Sequence, residues 1–212
     1  MALSILENGL RIIGKEINTR GEKMLILSSY GFESPVITDK LLKTFSLDEK
    51  ILIIPFAGFD NAVTAKKQQK FLEDFGFKKE NIFACTLEEP LKYFNENIDL
   101  IYVPGGNPFK LLKEAHNKDL IPKIRELIEN SVTYFGVSSG ADFLCEDLTY
   151  LKNFEDDDFN LTNCKGLGII KENILCHADQ RGYGDIKILK EADPEKEILL
   201  IRNDEVYIIN GE

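Results

Sequence analysis

The sequence predicts a three-layer α/β fold, in which helices cover both faces of a mostly parallel, doubly wound sheet. Short, entirely apolar segments alternate along the chain with longer amphipathic segments. Strands that are apolar on both sides are typical of a parallel sheet buried between two layers of helices. Two apolar segments end in glycine-rich turns, at residues 104–107 and 136–140, where a helix is expected to begin. Ligands of such sheets bind beyond the carboxyl ends of the strands, so both turns are expected at the functional edge.

The individual elements carry their own start and stop signals. Ser34 and Pro35 are typical of a helix N-cap and first turn, and Gly76 is typical of a helix C-terminus. The strands are expected at residues 24–29, 51–55, 82–85, 100–103 and 132–135, and the helices at residues 34–42, 61–75, 109–116 and 120–129.

We expect residues 1–212 to form a single domain. Residues 1–22 precede the first strand as an N-terminal extension, and the alternation of apolar and polar residues at 10–14 predicts an additional edge strand. The chain after Tyr150 is irregular, with loops rich in aspartate and asparagine, and is expected to complete the same domain.

Composition narrows the classes of function and partner. With 26 basic and 36 acidic side chains the formal net charge is −10, so nucleic acid is not an expected partner. No apolar run approaches about 18 residues, the length that suggests a membrane span, and the N-terminus lacks the pattern of a secretion signal. The 4 cysteines show neither a CxxC motif nor the spacing of a zinc site. We therefore expect reduced thiols, no metal and a cytoplasmic location.

The segment Gly136-Val137-Ser138-Ser139-Gly140 follows an apolar strand and leads into a helix. This G-x-S-x-G pattern is typical of a nucleophile elbow, a tight turn that exposes the serine hydroxyl at the edge of the sheet. The N-terminus of the following helix offers unpaired N–H groups to an oxyanion. Ser138 is therefore a candidate nucleophile. The alternative is that the small residues serve only the close packing of strand and helix.

A second turn, Gly105-Gly106-Asn107, ends the strand at 100–103 and opens the next helix. Two glycines let the main chain approach a ligand closely. The N–H of Gly105 or Gly106 is thus a candidate second donor of an oxyanion hole, beside the N–H of Ser139. Asn107 is a candidate substrate-binding residue. The alternative is an ordinary strand–helix junction with Asn107 as N-cap.

A serine hydroxyl needs a base that takes its proton before it attacks a carbonyl carbon. The chain has 2 histidines, and His116 lies near the end of a polar-faced helix, where a surface role is expected. His177 ends a short apolar segment, a place where the edge of a sheet presents catalytic groups. By elimination, His177 is the candidate base for Ser138.

The order and spacing of these segments resemble the peptidase E-like aspartyl dipeptidases and cyanophycinases, serine peptidases with a class I glutamine amidotransferase-like fold. The resemblance extends from about residue 24 to the C-terminus. It rests on residues 103–109, 136–141, 166–168 and 175–177.

The resemblance implies Ser138 as nucleophile, His177 as base, and an oxyanion hole formed by the amides of Ser139 and of Gly105 or Gly106. Two positions depart from the usual pattern of the family. Ser139 stands where alanine usually follows the nucleophile, and a cysteine stands where proline often precedes the histidine.

The third triad member that the resemblance implies is an acid near the last strand. It aligns with Asp204, and Glu205 is the competitor, because successive side chains of a strand point to opposite faces and only one can face His177. The remaining alternative is the acidic loop that contains Asp156, Asp157 and Asp158, although a solvated surface is the commoner role of such a loop.

The residues and the resemblance together predict a serine peptidase that hydrolyses short peptides through an acyl-enzyme and uses no cofactor. The family includes enzymes that prefer an N-terminal aspartate. Arg181, four residues after His177, is the nearest cation for an acidic substrate side chain, and a surface arginine is its alternative role. Two other functions stay open: an esterase of the α/β-hydrolase type, which shares G-x-S-x-G, and a non-catalytic relative that binds a small ligand or a partner.

Overall fold

The computed structural model of the chain describes residues 3–6, 10–13 and 24–210. Apolar runs of the sequence form most of its strands. In chain order these are β1 (Leu3–Leu6), β2 (Leu10–Ile13), β3 (Met24–Ser28), β4 (Ile51–Ile53), β5 (Ile82–Ala84), β6 (Leu100–Val103), β7 (Thr133–Val137), β8 (Asn173–Leu175), β9 (Ile198–Leu200) and β10 (Val206–Asn210).

Eight of these strands form one sheet with the order β1-β2-β10-β3-β7-β6-β4-β5. The strands from β3 to β5 in this order all run parallel. On the other side, β10 is antiparallel to β3 and parallel to β2, and β1 is antiparallel to β2. The predicted edge strand at residues 10–14 corresponds to β2, which β1 separates from the edge; residue 14 lies outside the described residues.

Helices pack on both faces of the sheet, which confirms the predicted three-layer, mostly parallel α/β architecture. They are α1 (Pro35–Leu41), α2 (Asn61–Phe75), α3 (Pro108–Asn117), α4 (Leu120–Glu129), α5 (Ser139–Asp142) and α6 (Tyr183–Ala192). Buried side chains of α1 and α2 share one apolar cluster with Leu100 and Tyr102 of β6, whereas those of α3 and α4 share the other cluster with Ile101 and Val103. Each strand therefore presents alternate residues to the two layers. Within the described chain, no helix is long and apolar enough to cross a membrane.

Strand β7 is longer than the predicted segment 132–135 and takes in the first glycine of the G-x-S-x-G pattern. Gly136 pairs with Leu27 of β3 and with Val103 of β6. Strand pairing on both sides therefore holds this glycine in an extended conformation, although glycine itself has little preference for a strand. Only Ser138 therefore separates the end of β7 from the start of α5.

The chain after Tyr150 contributes two further pieces. β10 returns to the large sheet beside β3, and β8 and β9 form a separate parallel pair in which Leu175 lies opposite Leu200. Because two parallel strands in register end side by side, the residues that follow Leu175 and Leu200 emerge next to each other.

Helix α5 touches the sheet at Gly140. A Cβ atom on this glycine would lie 2.0 Å from the carbonyl oxygen of Val103, far inside van der Waals contact. The hydroxyl of Tyr134 donates a 2.7 Å hydrogen bond to the carbonyl oxygen of Gly140. The glycine therefore allows α5 to begin directly on the strands that carry the two glycine-rich turns.

Replacement of Gly140 by alanine is expected to lower the free energy of unfolding by about 1–3 kcal/mol or more, because the new methyl group must displace the backbone of β6. Gly184→Ala is the matched control, since this glycine lies in α6 and an added Cβ would meet no heavy atom within 4 Å. The control is expected to be neutral or to stabilise by up to about 1 kcal/mol. Urea unfolding of both variants measures the difference, and equal stabilities would contradict the contact.

Candidate active site

Ser138 stands alone in the turn between β7 and α5, with φ of 50° and ψ of −117°. A positive φ is rare for a residue with a Cβ atom and marks local strain that the surrounding structure must sustain. Here the N–H of Ser138 donates a 2.9 Å hydrogen bond to the carbonyl oxygen of Ser28, at the end of β3. This conformation matches the strained nucleophile elbow predicted from the G-x-S-x-G pattern.

The imidazole of His177 lies against the Ser138 hydroxyl, with 3.2 Å between Nε2 and Oγ. His177 follows β8 and has a left-handed backbone conformation. Its N–H donates a 2.9 Å hydrogen bond to the Ser29 hydroxyl, which in turn donates a 2.9 Å hydrogen bond to the carbonyl oxygen of Ile201. The ring of Tyr30 packs edge-on against the imidazole, with 5.1 Å between the ring centroids. The structure thus brings together the two residues that the sequence pairs as nucleophile and base.

Asn203 occupies the position that sequence reasoning assigned to Asp204. The Oδ1 atom of Asn203 lies 2.7 Å from Nδ1 of His177. An amide oxygen accepts hydrogen bonds only, so this contact places the proton of a neutral imidazole on Nδ1 and leaves Nε2 free to accept the Ser138 hydroxyl proton. Asp179 holds Asn203 in turn, because its Oδ1 accepts a 2.9 Å hydrogen bond from the Asn203 N–H.

The expected alternation of Asp204 and Glu205 requires a strand, but residues 201–205 form a turn before β10. The N–H of Glu205 donates to the carbonyl oxygen of Arg202, and Glu205 Oε2 accepts a 3.0 Å hydrogen bond from the Arg202 N–H. Asp204 is exposed, and its carboxylate lies 3.3 Å from Nε of Arg202. The turn directs Asn203 to the imidazole and Asp204 to the surface.

The acidic loop that contains Asp156, Asp157 and Asp158 forms contacts with residues other than His177. The carboxylate of Asp157 pairs with Lys152 at 2.8 Å. The carbonyl oxygen of Asp156 accepts a 2.9 Å hydrogen bond from the Asn107 amide. Asp158 is exposed in the same loop. The loop thus lies against the turn that opens α3, and it is Asn203 that contacts His177.

The glycine-rich turn after β6 lies directly beside the nucleophile. A Cβ atom on Gly105 would be 3.0 Å from the Cβ and 3.7 Å from the Oγ of Ser138. Gly106 has φ of 150°, and a Cβ there would lie 2.2 Å from the carbonyl oxygen of Ala57. Among the hydrogen bonds of residues 24–210, none uses the N–H of Gly105, Gly106 or Ser139. These amides are therefore not committed to another acceptor within the described residues.

Both predicted substrate-binding residues, Asn107 and Arg181, form hydrogen bonds or ion pairs within the protein. Asn107 caps α3, because its Oδ1 accepts a 2.9 Å hydrogen bond from the Lys110 N–H, and its amide nitrogen reaches the acidic loop. Arg181 pairs with Glu155 at 3.2 Å, with exposed side-chain fractions of 22% and 37%, and packs over the ring of Phe154.

Asp142, the last residue of α5, is a buried acid that the sequence analysis did not single out. It is 6% exposed, and its Oδ1 atom has no hydrogen-bond partner among the described residues. Burial raises its pKa well above the ordinary value, repulsion by Glu155 raises it further, and the Arg181 charge lowers it in part. The hydroxyl of Ser139, three residues earlier, is likewise buried and has no partner among the described residues.

Sequence reasoning missed Asn203, Asp179, Ser29 and Asp142 for different reasons. The search for a third triad residue considered only carboxylates, so it passed over Asn203 beside Asp204. Ser29 and Asp179 act through contacts between residues far apart in the chain. Only Asp142 had a local signal in the sequence. It is an acidic residue four positions after Ser138, so the two lie on the same face of the helix.

The model of peptidase family S51 matches residues 24–212. The uncharacterized peptidase Lmo0363 of Listeria monocytogenes serovar 1/2a is 28% identical over 198 residues, which cover 90% of this chain and 95% of the relative. Peptidase E of Haemophilus influenzae is 32% identical over 128 residues, so the match spans 57% of this chain and 57% of that enzyme.

Solved structures show the same architecture. The crystal structure of a candidate peptidase E from Listeria monocytogenes EGD-e has a TM-score of 0.70 at 25% identity and covers 90% of this chain and 96% of its own. A peptidase from an acI-B1 Actinobacterium has a TM-score of 0.64 at 20% identity, with 90% of this chain and 85% of that chain covered. At the latter identity the similarity concerns the fold.

Asp142→Asn is expected to make the protein less sensitive to rising pH. Because the pKa of Asp142 is raised in the folded state, the folded protein keeps a proton that the unfolded chain releases. The stability linked to this group is present below the unfolded pKa of about 3.9 and is lost as pH rises toward the folded pKa. Relative to wild type, the variant should therefore gain up to about 1.4 kcal/mol per pH unit above roughly pH 4.

Urea unfolding of both proteins between about pH 4 and pH 8 measures this trend, a range set by the ordinary aspartate pKa. Asp39→Asn is the control, since Asp39 is exposed on α1 and its replacement removes no buried carboxyl group. A stability difference for Asp142→Asn that stays constant across the pH range would show that this carboxyl is solvated in the folded protein.

Proposed function

Because the chain belongs to peptidase family S51, we propose that it hydrolyses short peptides with Ser138 as nucleophile, His177 as base and Asn203 as the residue that orients the base. The resemblance noted in the sequence is confirmed by the family match, and the protein is a peptidase. The observation that carries the proposed chemistry is the continuous contact from Ser138 Oγ through both imidazole nitrogens to Asn203 Oδ1, at 3.2 and 2.7 Å.

The reaction begins when Nε2 of His177 accepts the Ser138 hydroxyl proton while Oγ attacks the scissile carbonyl carbon. The oxyanion that forms is stabilised by the amides of Ser139 and of Gly105 or Gly106. The imidazolium then gives its proton to the leaving amine as the C–N bond breaks. A water molecule, deprotonated by His177, hydrolyses the acyl-enzyme ester and restores the serine. No step needs a metal or an organic cofactor.

Asn203 supports this cycle differently from a carboxylate. Its neutral amide fixes the orientation and the tautomer of His177, but it supplies no negative charge to the imidazolium. Cysteine peptidases with a Cys-His-Asn constellation use an asparagine in the same position relative to histidine. An amide that orients the histidine is thus compatible with acyl transfer. Because it adds no charge, the oxyanion hole must supply more of the electrostatic stabilisation of the transition state.

We also propose that the enzyme prefers an N-terminal aspartate, because the positive charge of Arg181 can pair with an acidic substrate side chain. Arg181 follows the 3-10 helix that begins directly after His177, and it keeps part of its surface exposed. Its pairing with Glu155 means that an acidic substrate side chain would compete for the guanidinium with a carboxylate already in place. Family membership favours peptides over the esters of the alternative hydrolase hypothesis.

The cytoplasm is the proposed location, and nucleic acid is not a proposed partner. The 4 cysteines are all free and buried, which suits a reducing compartment. The net charge of −10 disfavours binding to a phosphate backbone.

Ser138→Ala is expected to lower kcat by on the order of 10⁶ while leaving the thermal unfolding temperature nearly unchanged, because it removes only a hydroxyl whose contact is with the partly buried imidazole of His177. Hydrolysis of Asp-X, Glu-X and Ala-X dipeptides by purified protein measures the loss and the preference for Asp-X together. A fluorophosphonate probe is expected to label the wild type and not the variant. Full peptidase activity of Ser138→Ala, or an unlabelled and inactive wild type, would overturn the proposal in favour of another nucleophile or a non-catalytic relative.

Asn203→Ala is expected to lower kcat by about 10- to 100-fold, the equivalent of one lost buried hydrogen bond. Asn203→Asp should keep the activity and shift the acid limb of the pH–rate profile to higher pH, because a carboxylate favours the imidazolium. Asp204→Asn, one residue away on the surface, is the matched control and should behave as wild type. Loss of activity in the control with no loss in Asn203→Ala would return the role to Asp204.

A further inference from the structure

Tyr30 is an aromatic residue at the carboxyl end of β3 that the proposed mechanism does not use. Its ring packs edge-on against the imidazole of His177, with 5.1 Å between the ring centroids. The residue is 36% exposed, and its hydroxyl forms no hydrogen bond with the other described residues. An aromatic ring therefore stands beside the proposed base with part of its surface open to solvent.

Hydrogen bonds hold the chain on both sides of Tyr30. The Ser28 hydroxyl donates a 2.5 Å hydrogen bond to the carbonyl oxygen of Tyr30. In the turn that follows, the N–H of Gly31 donates a 2.9 Å hydrogen bond to the Glu33 carboxylate. A ligand that packs on a side chain held in this way loses little binding free energy to the ordering of the protein.

The order of the strands divides the site into two sides. Ser138 follows β7, which lies between β3 and β6. Gly105 and Gly106, the proposed donors to the oxyanion, follow β6 on one side. Tyr30 follows β3 on the other side, where a hydrogen bond to the residue after β3 also holds His177. The scissile carbonyl oxygen is therefore expected toward β6, whereas the base and Tyr30 lie toward β3.

Proton transfer places the leaving residue of the substrate on the side of His177. To accept the proton from Nε2, the leaving nitrogen must come within about 3.2 Å of that atom. The Cα atom of the leaving residue is bonded to this nitrogen, so it lies within about 5 Å of Nε2. Because the ring of Tyr30 contacts the same imidazole, it is within reach of the side chain on that Cα atom.

We propose that Tyr30 binds the side chain of the substrate residue that carries the leaving amine, and so favours a large apolar or aromatic residue after the scissile bond. The inference rests on the proposed peptidase function and adds a specificity-determining residue to it. An aromatic side chain gains contact with the ring of Tyr30 and buries apolar surface, and glycine gains neither.

Dipeptides that share an N-terminal aspartate and differ in the second residue test this inference. Asp-Phe and Asp-Gly form the same acyl-enzyme, so a difference in their kcat/KM arises before the leaving residue departs. Wild type is expected to favour Asp-Phe by about 10-fold, the size expected for one aromatic contact. Tyr30→Ala should remove most of this ratio, and Tyr30→Phe, which keeps the ring, should preserve it.

The ratio separates contact with the substrate from structural support of the base, because a displaced His177 would slow both dipeptides alike. Phe59→Ala is the matched control, since Phe59 is a fully exposed aromatic residue between β4 and α2, and β6 lies between β4 and β7. This control should keep the wild-type ratio. A wild type without preference, an unchanged ratio in Tyr30→Ala, or an equal loss in Phe59→Ala would overturn the inference.

A second measurement needs no turnover. L-Phenylalaninamide is expected to slow fluorophosphonate labelling of Ser138 more than glycinamide does at the same concentration, and Tyr30→Ala should abolish this difference. Equal protection of the wild type by both compounds counts against a side-chain site at Tyr30. The two levels of the proposal fail separately: hydrolysis without preference for Asp-Phe refutes only the role of Tyr30, whereas an absence of both hydrolysis and labelling refutes the peptidase mechanism and this inference with it.

Discussion

The end of β3 fixes both halves of the site, and the rest of the catalytic geometry depends on it. The carbonyl oxygen of Ser28 accepts the N–H of Ser138, and the hydroxyl of Ser29 accepts the N–H of His177. Ser29 also donates to Ile201, which precedes Asn203 by two residues. Two consecutive residues therefore set the distance between nucleophile and base and join the two-stranded sheet to the large one. Both serines are buried, so water does not compete for these hydrogen bonds.

The strained backbone of Ser138 persists because several contacts hold it from different directions. Pairing of β7 with strands on both sides fixes the chain before the turn. The fit of Gly140 against Val103, together with the Tyr134 hydroxyl, fixes the chain after it. A residue in a sparsely populated conformation is retained only when its neighbours determine it in this way. The strained conformation presents the Ser138 hydroxyl to the imidazole of His177. It also depends on glycine at position 140, because a larger residue there would collide with Val103.

Charge is distributed unevenly around this site. The hydrogen-bond partner of the imidazole Nδ1 is a neutral amide, whereas Oδ1 of the buried Asp142 carboxyl has no hydrogen-bond partner among the described residues. A carboxylate beside His177 would mainly stabilise the imidazolium, which a neutral amide does not do. The arrangement thus assigns the orientation of His177 to Asn203, and it buries the Asp142 carboxyl in the elbow helix.

Local sequence determined the strands β3 to β7, the helices α1 to α4, the positions of the two glycine-rich turns, and the pair Ser138 and His177. These features depend on apolar periodicity, on glycine at tight turns and on the scarcity of histidine, all of which are written in short segments. Only the tertiary structure decided that Asn203 rather than Asp204 meets the imidazole. That choice depends on the register of β8 and β9 and on the turn at residues 201–205, which bring together groups 26 residues apart. Burial of Asp142 was decided in the same way, because the residues that enclose a side chain come from several distant segments.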